Sequence, residues 1–406
     1  MLLGWIIPPS FSQSTSYTPV LDEVWQTVNK HFFDPKFNGI DWAAQKTTYA
    51  PRVEKAKNQA EATAIINEML GNLKVSHTRY YTPDDPAYYQ LLGIFDRDEA
   101  IRKKRKPFFP KDKVEYTGIG IFTKEMEGKT FVSGVLEGSP AQQAGLKVGD
   151  RLVNVEGQPY QPVQSFANKK NQPVKVEIQR SSDLGSLETV MVQPKLLNAA
   201  TMFLDAQRDS ISLIEKNGKK IGYIHIWCYA GAQYQELLEE AVLDGKLKDT
   251  DALVLDLRDG WGGAQPGYLS LFTSRGPSIT VSDRTGAKTF RRFQWTKPVV
   301  MLVNDGSRSG KEILAFGFQR YKIGSVVGSK TAGAVVGGRA FLMKDGSLLY
   351  LAVADVWVDE KERLEGVGVT PDIEVPFTLP YAQGADPQKD RAVDVAWEGT
   401  QPKPAS

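Results

Sequence analysis

An α+β architecture of several domains is what this sequence predicts: a helical leader, a compact β-domain inserted after it, and an α/β core. Three observations carry that expectation. Apolar residues recur at helical spacing in the first hundred residues. Short alternating strands punctuated by glycine follow. Near-continuous apolar runs that alternate with helical segments fill the last third. At 406 residues the chain also exceeds what one hydrophobic core usually sustains.

The leader, residues 15–112, opens with Leu21, Val24, Trp25, Val28 and Phe32 on one helical face, ended by Asp34-Pro35. Ala62, Ile65, Ile66, Met69 and Leu70 predict a second helix, closed by Gly71-Asn72. The β-domain, residues 113–197, begins with the strand Tyr116–Phe122 and continues with Phe131–Val135. Ser139-Pro140 then starts a short helix that ends at Gly145, and strands follow at Val148–Val155 and Val174–Ile178. In the core, residues 198–380, the runs Ile221–Ile226, Ala252–Leu257, Val299–Val303 and Val326-Val327 read as strands buried on both faces. Helices are expected at Gln233–Val242 and Lys311–Phe318, and a hairpin over Phe341–Leu351 turning at Asp345-Gly346. Residues 381–406, polar and proline-containing, are expected to form a flexible tail.

Composition narrows the partners. A net charge of +2 gives no global field toward nucleic acid or anionic lipid. The basic run Arg102–Lys106 lacks interleaved aromatics and reads as a solvated loop, with a docking patch for an acidic partner the lesser reading. The single cysteine, Cys228, excludes an intramolecular disulfide framework and sits in an apolar run as an inert thiol. Three scattered histidines give no metal-ligand spacing, and no phosphate-cradling glycine loop is present, so no cofactor is expected. The apolar segment Leu2–Pro9 followed by Ser10–Ser14 is short for a secretory signal and lacks a basic start. It points to an exported, periplasmic location and leaves the cytoplasm open. Peripheral contact with a membrane and assembly into a homo-oligomer are open expectations too.

Within the β-domain, Gly118-Ile119-Gly120-Ile121 is followed at the right distance by Gly138-Ser139-Pro140-Ala141 through Gly149-Asp150-Arg151-Leu152. This pair of segments resembles a PDZ domain. The resemblance implies that Gly118, Ile119, Gly120 and Ile121 offer backbone amides to the terminal carboxylate of a polypeptide, which adds as a strand at an open edge. The bland alternative is a β-barrel used as a spacer.

In the core, Val299–Val303, Asn304–Arg308 and Ser309-Gly310-Lys311-Glu312 read as buried strand, tight turn and helix start. By local sequence alone, Ser309 is an N-cap. A serine there also thrusts its hydroxyl out at the end of a sheet, beside the free amides of a helix N-terminus. The segment is similar to the nucleophile segment of the S41 peptidases, which include C-terminal processing peptidases and tricorn-like proteases. A second signature of that family is Asp256-Leu257-Arg258-Asp259-Gly260-Trp261-Gly262-Gly263. The resemblance spans most of residues 15–378 and implies a core of the ClpP/crotonase-like type. It makes Ser309 the nucleophile and gives the oxyanion the amides of Gly310 and of Gly262 or Gly263.

The chain departs from the processing-peptidase branch, whose base is a lysine in a Thr-x-Gly-Lys-Gly run. Here Lys330-Thr331-Ala332-Gly333-Ala334-Val335 puts Ala334 at that position, and Lys311 and Lys330 do not match the pattern. Histidine is the natural substitute base. His31 ends an amphipathic helix, and His225 lies mid-strand between Ile224 and Ile226 as a core histidine. His77, in Lys74-Val75-Ser76-His77-Thr78, resembles the Ser-His element of the tricorn-like branch, which makes His77 the base and Ser76 its support. Leu364-Glu365-Gly366-Val367-Gly368-Val369-Thr370-Pro371-Asp372 resembles the family's closing motif and implies that Glu365 orients the imidazole. A plain loop carboxylate is the other reading of Glu365, and Asp372 reads as a turn residue. The resulting expectation is a serine peptidase acting on polypeptides, with the PDZ-like domain delivering or gating their ends. Two rivals are a silent binding member of the same family and an acyl-CoA enzyme on the related core fold.

Overall fold

The computed structural model describes residues 16–273, 278–291 and 293–402, so the apolar segment Leu2–Pro9 lies outside the described residues. Helix α1 spans Thr18–His31, and the side chains chosen by its helical spacing, Leu21, Val24 and Val28, are fully buried. Helix α2, Trp42–Glu54, starts where the Asp41 carboxylate accepts from Ala44 N. Helix α3, Gln59–Gly71, starts in the same way on Asn58. Their buried side chains form one cluster with Tyr80 of strand β1, Arg79–Tyr81, and with a long hairpin from the far end of the chain. Two further helices follow, α4 at Pro86–Ile94 and α5 at Glu99–Arg105.

Helix α5 corrects the reading of Arg102–Lys106 as a loop. Asp98 caps it, and Arg105 is buried because Asp96 and Asp112 take its guanidinium.

The β-domain contains β2 (Glu115–Gly118), β3 (Ile121–Met126), β4 (Lys129–Val135), helix α6 (Pro140–Gln143), β5 (Arg151–Val155), β6 (Val174–Gln179), β7 (Leu187–Val192) and β8 (Lys195–Asn198). Five strands form one sheet in the order β3-β4-β5-β6-β7, and β2 pairs with β8. The single strand expected over Tyr116–Phe122 is two, because the chain turns at Gly120, whose φ of +78° suits glycine. Strand β3 has a sheet neighbour only in β4, so its other edge is open.

In the core, α7 (Met202–Ser210) precedes β9 (Ser212–Lys216), β10 (Lys219–His225), α8 (Ala232–Leu243) and β11 (Ala252–Asp256). Next come α9 (Ser270–Thr273), the pair β12 (Ile279–Ser282) and β13 (Lys288–Arg291), then β14 (Val299–Val303) and α10 (Gly310–Arg320). The chain continues through β15 (Val326–Gly328), the hairpin β16 (Val336–Leu342) and β17 (Leu348–Asp355), β18 (Ile373–Glu374) and α11 (Pro387–Glu398). One six-stranded sheet has the order β18-β15-β14-β11-β10-β9, parallel throughout except for β9. Every residue of β11 and β14 is buried, as their unbroken apolar runs require. These two strands are neighbours, so the motifs that follow them emerge side by side at the carboxyl edge of the sheet. A second sheet, β1-β17-β16, joins the leader to the hairpin.

Residues 381–406 were expected to be a loose tail, and helix α11 overturns that for its part of the segment. Ala392, Val393, Val395 and Ala396 form an apolar stripe that is buried against Tyr223, Val254, Val300 and Leu302 on one face of the six-stranded sheet. The Asp386 side chain caps the helix and also holds Arg258 in a two-pronged ion pair.

Candidate active site

Ser309 stands between β14 and α10 with φ 59° and ψ −127°, a conformation that costs a β-carbon residue on the order of 1–3 kcal/mol. The surroundings hold it there. Its amide donates to Ala334 O at 2.9 Å and to Glu312 Oε2 at 3.0 Å. Glu312 is fully buried and also accepts from Thr331 Oγ1, Gly333 N and Ala334 N. One carboxylate therefore clamps the helix start to the 331–334 turn. Two residues before Ser309, Ser307 is buried and donates its hydroxyl to Leu257 O at 2.9 Å, tying the turn to the strand next door.

The glycine segment after β11 lies directly against this turn. A β-carbon on Gly262 would come 2.5 Å from Ser309 Cβ and 3.1 Å from Gly310 N, so only glycine fits there. Gly263 has φ +96° and faces Ala230 in the same way. Gly262 thus lies against both Ser309 and the amide nitrogen of Gly310 at the helix N-terminus, and Gly262 and Gly263 line one cavity with Ser309.

His77 reaches the same place from the leader. The three residues that follow Thr78 form β1, which pairs with Leu348–Tyr350 of β17, and this pairing carries the Ser76-His77 turn across the fold. His77 is buried, and its ring rests against Tyr350 at 5.2 Å. His77 Nδ1 lies 2.8 Å from Ser76 Oγ, and that hydroxyl lies 2.9 Å from Glu365 Oε2. Glu365 Oε1 accepts from Ser76 N at 2.8 Å, and its Oε2 accepts from Val335 N at 2.6 Å.

An ionised carboxylate only accepts, so the single Ser76 proton goes to Glu365 and Ser76 Oγ accepts from His77 Nδ1–H. The lone pair is then on Nε2. Burial, reinforced by the positive charge of Arg308, pushes the His77 pKa down to about 3, so the ring is neutral near pH 7. His77, Gly262, Gly263, Arg308 and Ser309 line one cavity of about 360 Å³, together with Trp261 and Tyr350. Among the described residues no hydrogen bond joins His77 to Ser309.

The other candidates lie elsewhere. His31 packs on Phe341 at the end of α1. His225 is held between Glu137 Oε1 and Arg258 O, both at 3.2 Å, as a buried core histidine. Lys330 is exposed. Lys311 is fully buried and donates to Asp259 O at 2.7 Å and Trp227 O at 3.1 Å, beneath the glycine segment. Burial lowers its pKa to about 8. Reading along the sequence missed this support, and it missed the Glu312 clamp. A lysine and a glutamate flanking the first turn of a helix were the only signals. Ala334, at the lysine position of the related branch, gives its backbone to both Ser309 and Glu312.

Gly118, Ile119, Gly120 and Ile121 form the β2–β3 junction. Ile121, Phe122 and Thr123 line a larger cavity of about 1010 Å³ that also reaches Trp261, Arg308 and Ala334. Residues at the start of β3 therefore line the same space as Arg308, the residue beside Ser309. Among the described residues no group of three or more His, Cys, Asp or Glu side chains is arranged to hold a metal, and no helix is long and apolar enough to cross a membrane.

Comparison with known proteins gives three matches by segment: residues 220–375 to peptidase family S41, residues 14–71 to the tricorn protease C1 domain, and residues 131–180 to the PDZ domain. The chain is 26% identical over 405 residues to a tricorn protease homolog of Streptomyces coelicolor, which covers 93% of it and 32% of that protein. It thus spans about a third of that relative. With the carboxyl-terminal-processing protease of Synechocystis it shares 25% identity over 422 residues, 98% of this chain and 92% of that one. The solved tricorn protease superposes with a TM-score of 0.56 at 18% identity, over 95% of this chain and 37% of that chain, which establishes likeness of fold.

Proposed function

Since this chain is a serine-type peptidase of family S41 that carries a PDZ domain, we propose that it cleaves polypeptides through an acyl-enzyme on Ser309 with His77 as the base. The observation that carries this reading is the hydrogen-bonded chain Glu365–Ser76–His77, which ends on a cavity shared with Ser309. Nε2 of His77 takes the Ser309 proton as Oγ attacks the scissile carbonyl. The amides of Gly310 and of Gly262 or Gly263 hold the oxyanion, and Lys311 keeps the glycine segment in position. Imidazolium charge forms opposite Glu365, relayed by Ser76, and His77 Nε2–H then protonates the leaving amine. Water enters and gives a proton to His77 as its oxygen attacks the acyl carbon, and His77 returns that proton to Ser309 Oγ as the ester bond breaks and the second product leaves.

The PDZ domain delivers the substrate in this reading. A polypeptide end seated on Gly118–Ile121 and along the open edge of β3 lies in the cavity that leads past Arg308. An exported location, peripheral membrane contact and assembly into a homo-oligomer belong to the same proposal, and fractionation and sedimentation test them. A silent binding role is the less favoured reading, since the family match and the relatives are peptidases and His77 offers a base where the related branch's lysine is absent at Ala334.

The experiment is peptide hydrolysis by the full chain. Ser309→Ala and His77→Ala are each expected to lower kcat by roughly 10⁴- to 10⁶-fold. Retention of activity by His77→Ala, with loss in Lys330→Ala, would refute the assignment of the base.

A further inference from the structure

Arg308, the residue immediately before Ser309, takes no part in the hydrolysis described above. Its guanidinium stands 5.4 Å from the centre of the Trp261 ring, a cation–π contact that fixes its position. The residue is half-buried and lines both cavities, the one holding His77 and Ser309 and the one running to β3. A guanidinium carries five N–H donors and keeps its charge at any working pH. Among the described residues no carboxylate or carbonyl accepts from those donors.

The nearby acids have other partners. Asp305 pairs with Lys124 at 2.8 Å, Asp259 Oδ1 takes Asn304 Nδ2 at 3.1 Å, and Glu312 is filled by the amides of the Ser309 turn. Of the two further acids lining the larger cavity, Asp85 accepts from Ala87 N at 2.8 Å and Asp84 from Gln164 Nε2. Two other cations lie nearby: Lys311 is buried beneath, and Arg79, exposed over the Tyr81 ring, lines the larger cavity but not the one that holds His77 and Ser309. Among the described residues Arg308 is therefore the cation common to both cavities.

Building on Ser309 as nucleophile, we propose that Arg308 is the specificity-determining residue of this peptidase and binds a carboxylate of the substrate close to the bond that is cut. The carboxylate comes either from an Asp or Glu side chain flanking that bond or from the terminus of the polypeptide. Planar two-pronged pairing with a guanidinium suits both. The same pairing has a consequence for the base. Arg308 is the charge that adds to burial in holding His77 neutral. A substrate carboxylate on the guanidinium cancels that charge and makes the imidazole a stronger base only when the substrate is seated. Facing His77 besides Arg308 are Glu365, through Ser76, and the neutral ring of Tyr350.

The test uses the full chain and a fluorogenic peptide library in matched pairs, Glu against Gln and Asp against Asn at each position around the scissile bond, and free against amidated C-terminus. The wild type is expected to favour the carboxylate member of one pair by about 10- to 100-fold in kcat/KM. Arg308→Met is expected to lose that preference, and Arg308→Lys to keep part of it. The pair that responds identifies the source of the carboxylate. An unchanged preference in Arg308→Met, or none in the wild type, overturns the proposal while leaving Ser309 as nucleophile. Binding of the same peptides to Ser309→Ala, read by fluorescence anisotropy, separates the two readings. If no peptide is cut, a carboxylate preference that vanishes in Ser309→Ala/Arg308→Met upholds Arg308 against the hydrolytic reading, and equal binding of acid and neutral members overturns it.

Discussion

His77 has its own backbone constraint: φ is 56°, so the ring is presented from a left-handed turn rather than a strand. Its Nδ1–H is committed to Ser76, and this decides which nitrogen can act. Ser76→Ala removes the acceptor and the link to Glu365, and kcat is expected to fall roughly 10²- to 10⁴-fold. Because burial and Arg308 hold the His77 pKa near 3, kcat/KM is expected to stay level as pH falls well below 6.5, where an ordinary imidazole would already be protonated. The sign for Arg308→Met follows: removing a positive neighbour favours imidazolium, raises the His77 pKa and moves the acid limb of a kcat/KM–pH profile to higher pH. An acid limb that stays in place would show that Arg308 does not act on the base. Much of this was legible one residue at a time. Ser309, Ser76, His77 and Glu365 were picked out by short segments whose chemistry needs those residue types. The environment of each was not legible, because a shifted pKa depends on what the fold buries and what it brings near.

At the scale of elements, the site is two motifs delivered by adjacent parallel strands and a third delivered by a short antiparallel pairing. The apolar runs of β11 and β14 announced themselves, since a strand covered on both faces has no polar positions. Strand β1 is three residues long and pairs with a strand some 270 residues later, so no periodicity could reveal the contact that brings His77 to the core. Helix α2 was missed for a related reason: its buried residues, Trp42, Tyr49 and Val53, are too sparse to mark a face. Glu312 is the central element-level support. Replacing it by Ala leaves the amides of Gly333 and Ala334 buried without this acceptor, at a cost of roughly 2–5 kcal/mol. Thermal unfolding of Glu312→Ala is expected to show that loss as a lowered Tm, with Glu312→Gln recovering part of it. An unchanged Tm would mean that the clamp contributes nothing.

Across the whole molecule the PDZ domain is seated on the core by specific contacts. Glu137 accepts from Trp227 Nε1 at 2.6 Å and faces His225 Nδ1 at 3.2 Å, and Phe122 stacks on Trp227 at 5.3 Å. Burial disfavours a charged His225, but the carboxylates of Asp256 and Glu137 outweigh it, against a smaller opposing effect of Arg258, so its pKa is raised. A raised pKa in the fold means that the stabilisation is complete below about pH 6.5 and is lost as pH rises through the folded value. The Tm should therefore fall as pH rises above that range, and His225→Gln should flatten the slope. An identical slope would remove the charged His225 from the account. The docking of helix α11, like the seat of the PDZ domain, rests on side chains far apart in the chain, and so composition alone suggested a loose tail. The central claim is that the leader supplies the base to the core's nucleophile, and the labelling rate of Ser309 by a serine-reactive phosphonate tests it most directly. The account predicts that His77→Gln slows labelling by orders of magnitude while Lys330→Ala labels at the wild-type rate. Wild-type labelling by His77→Gln would contradict it.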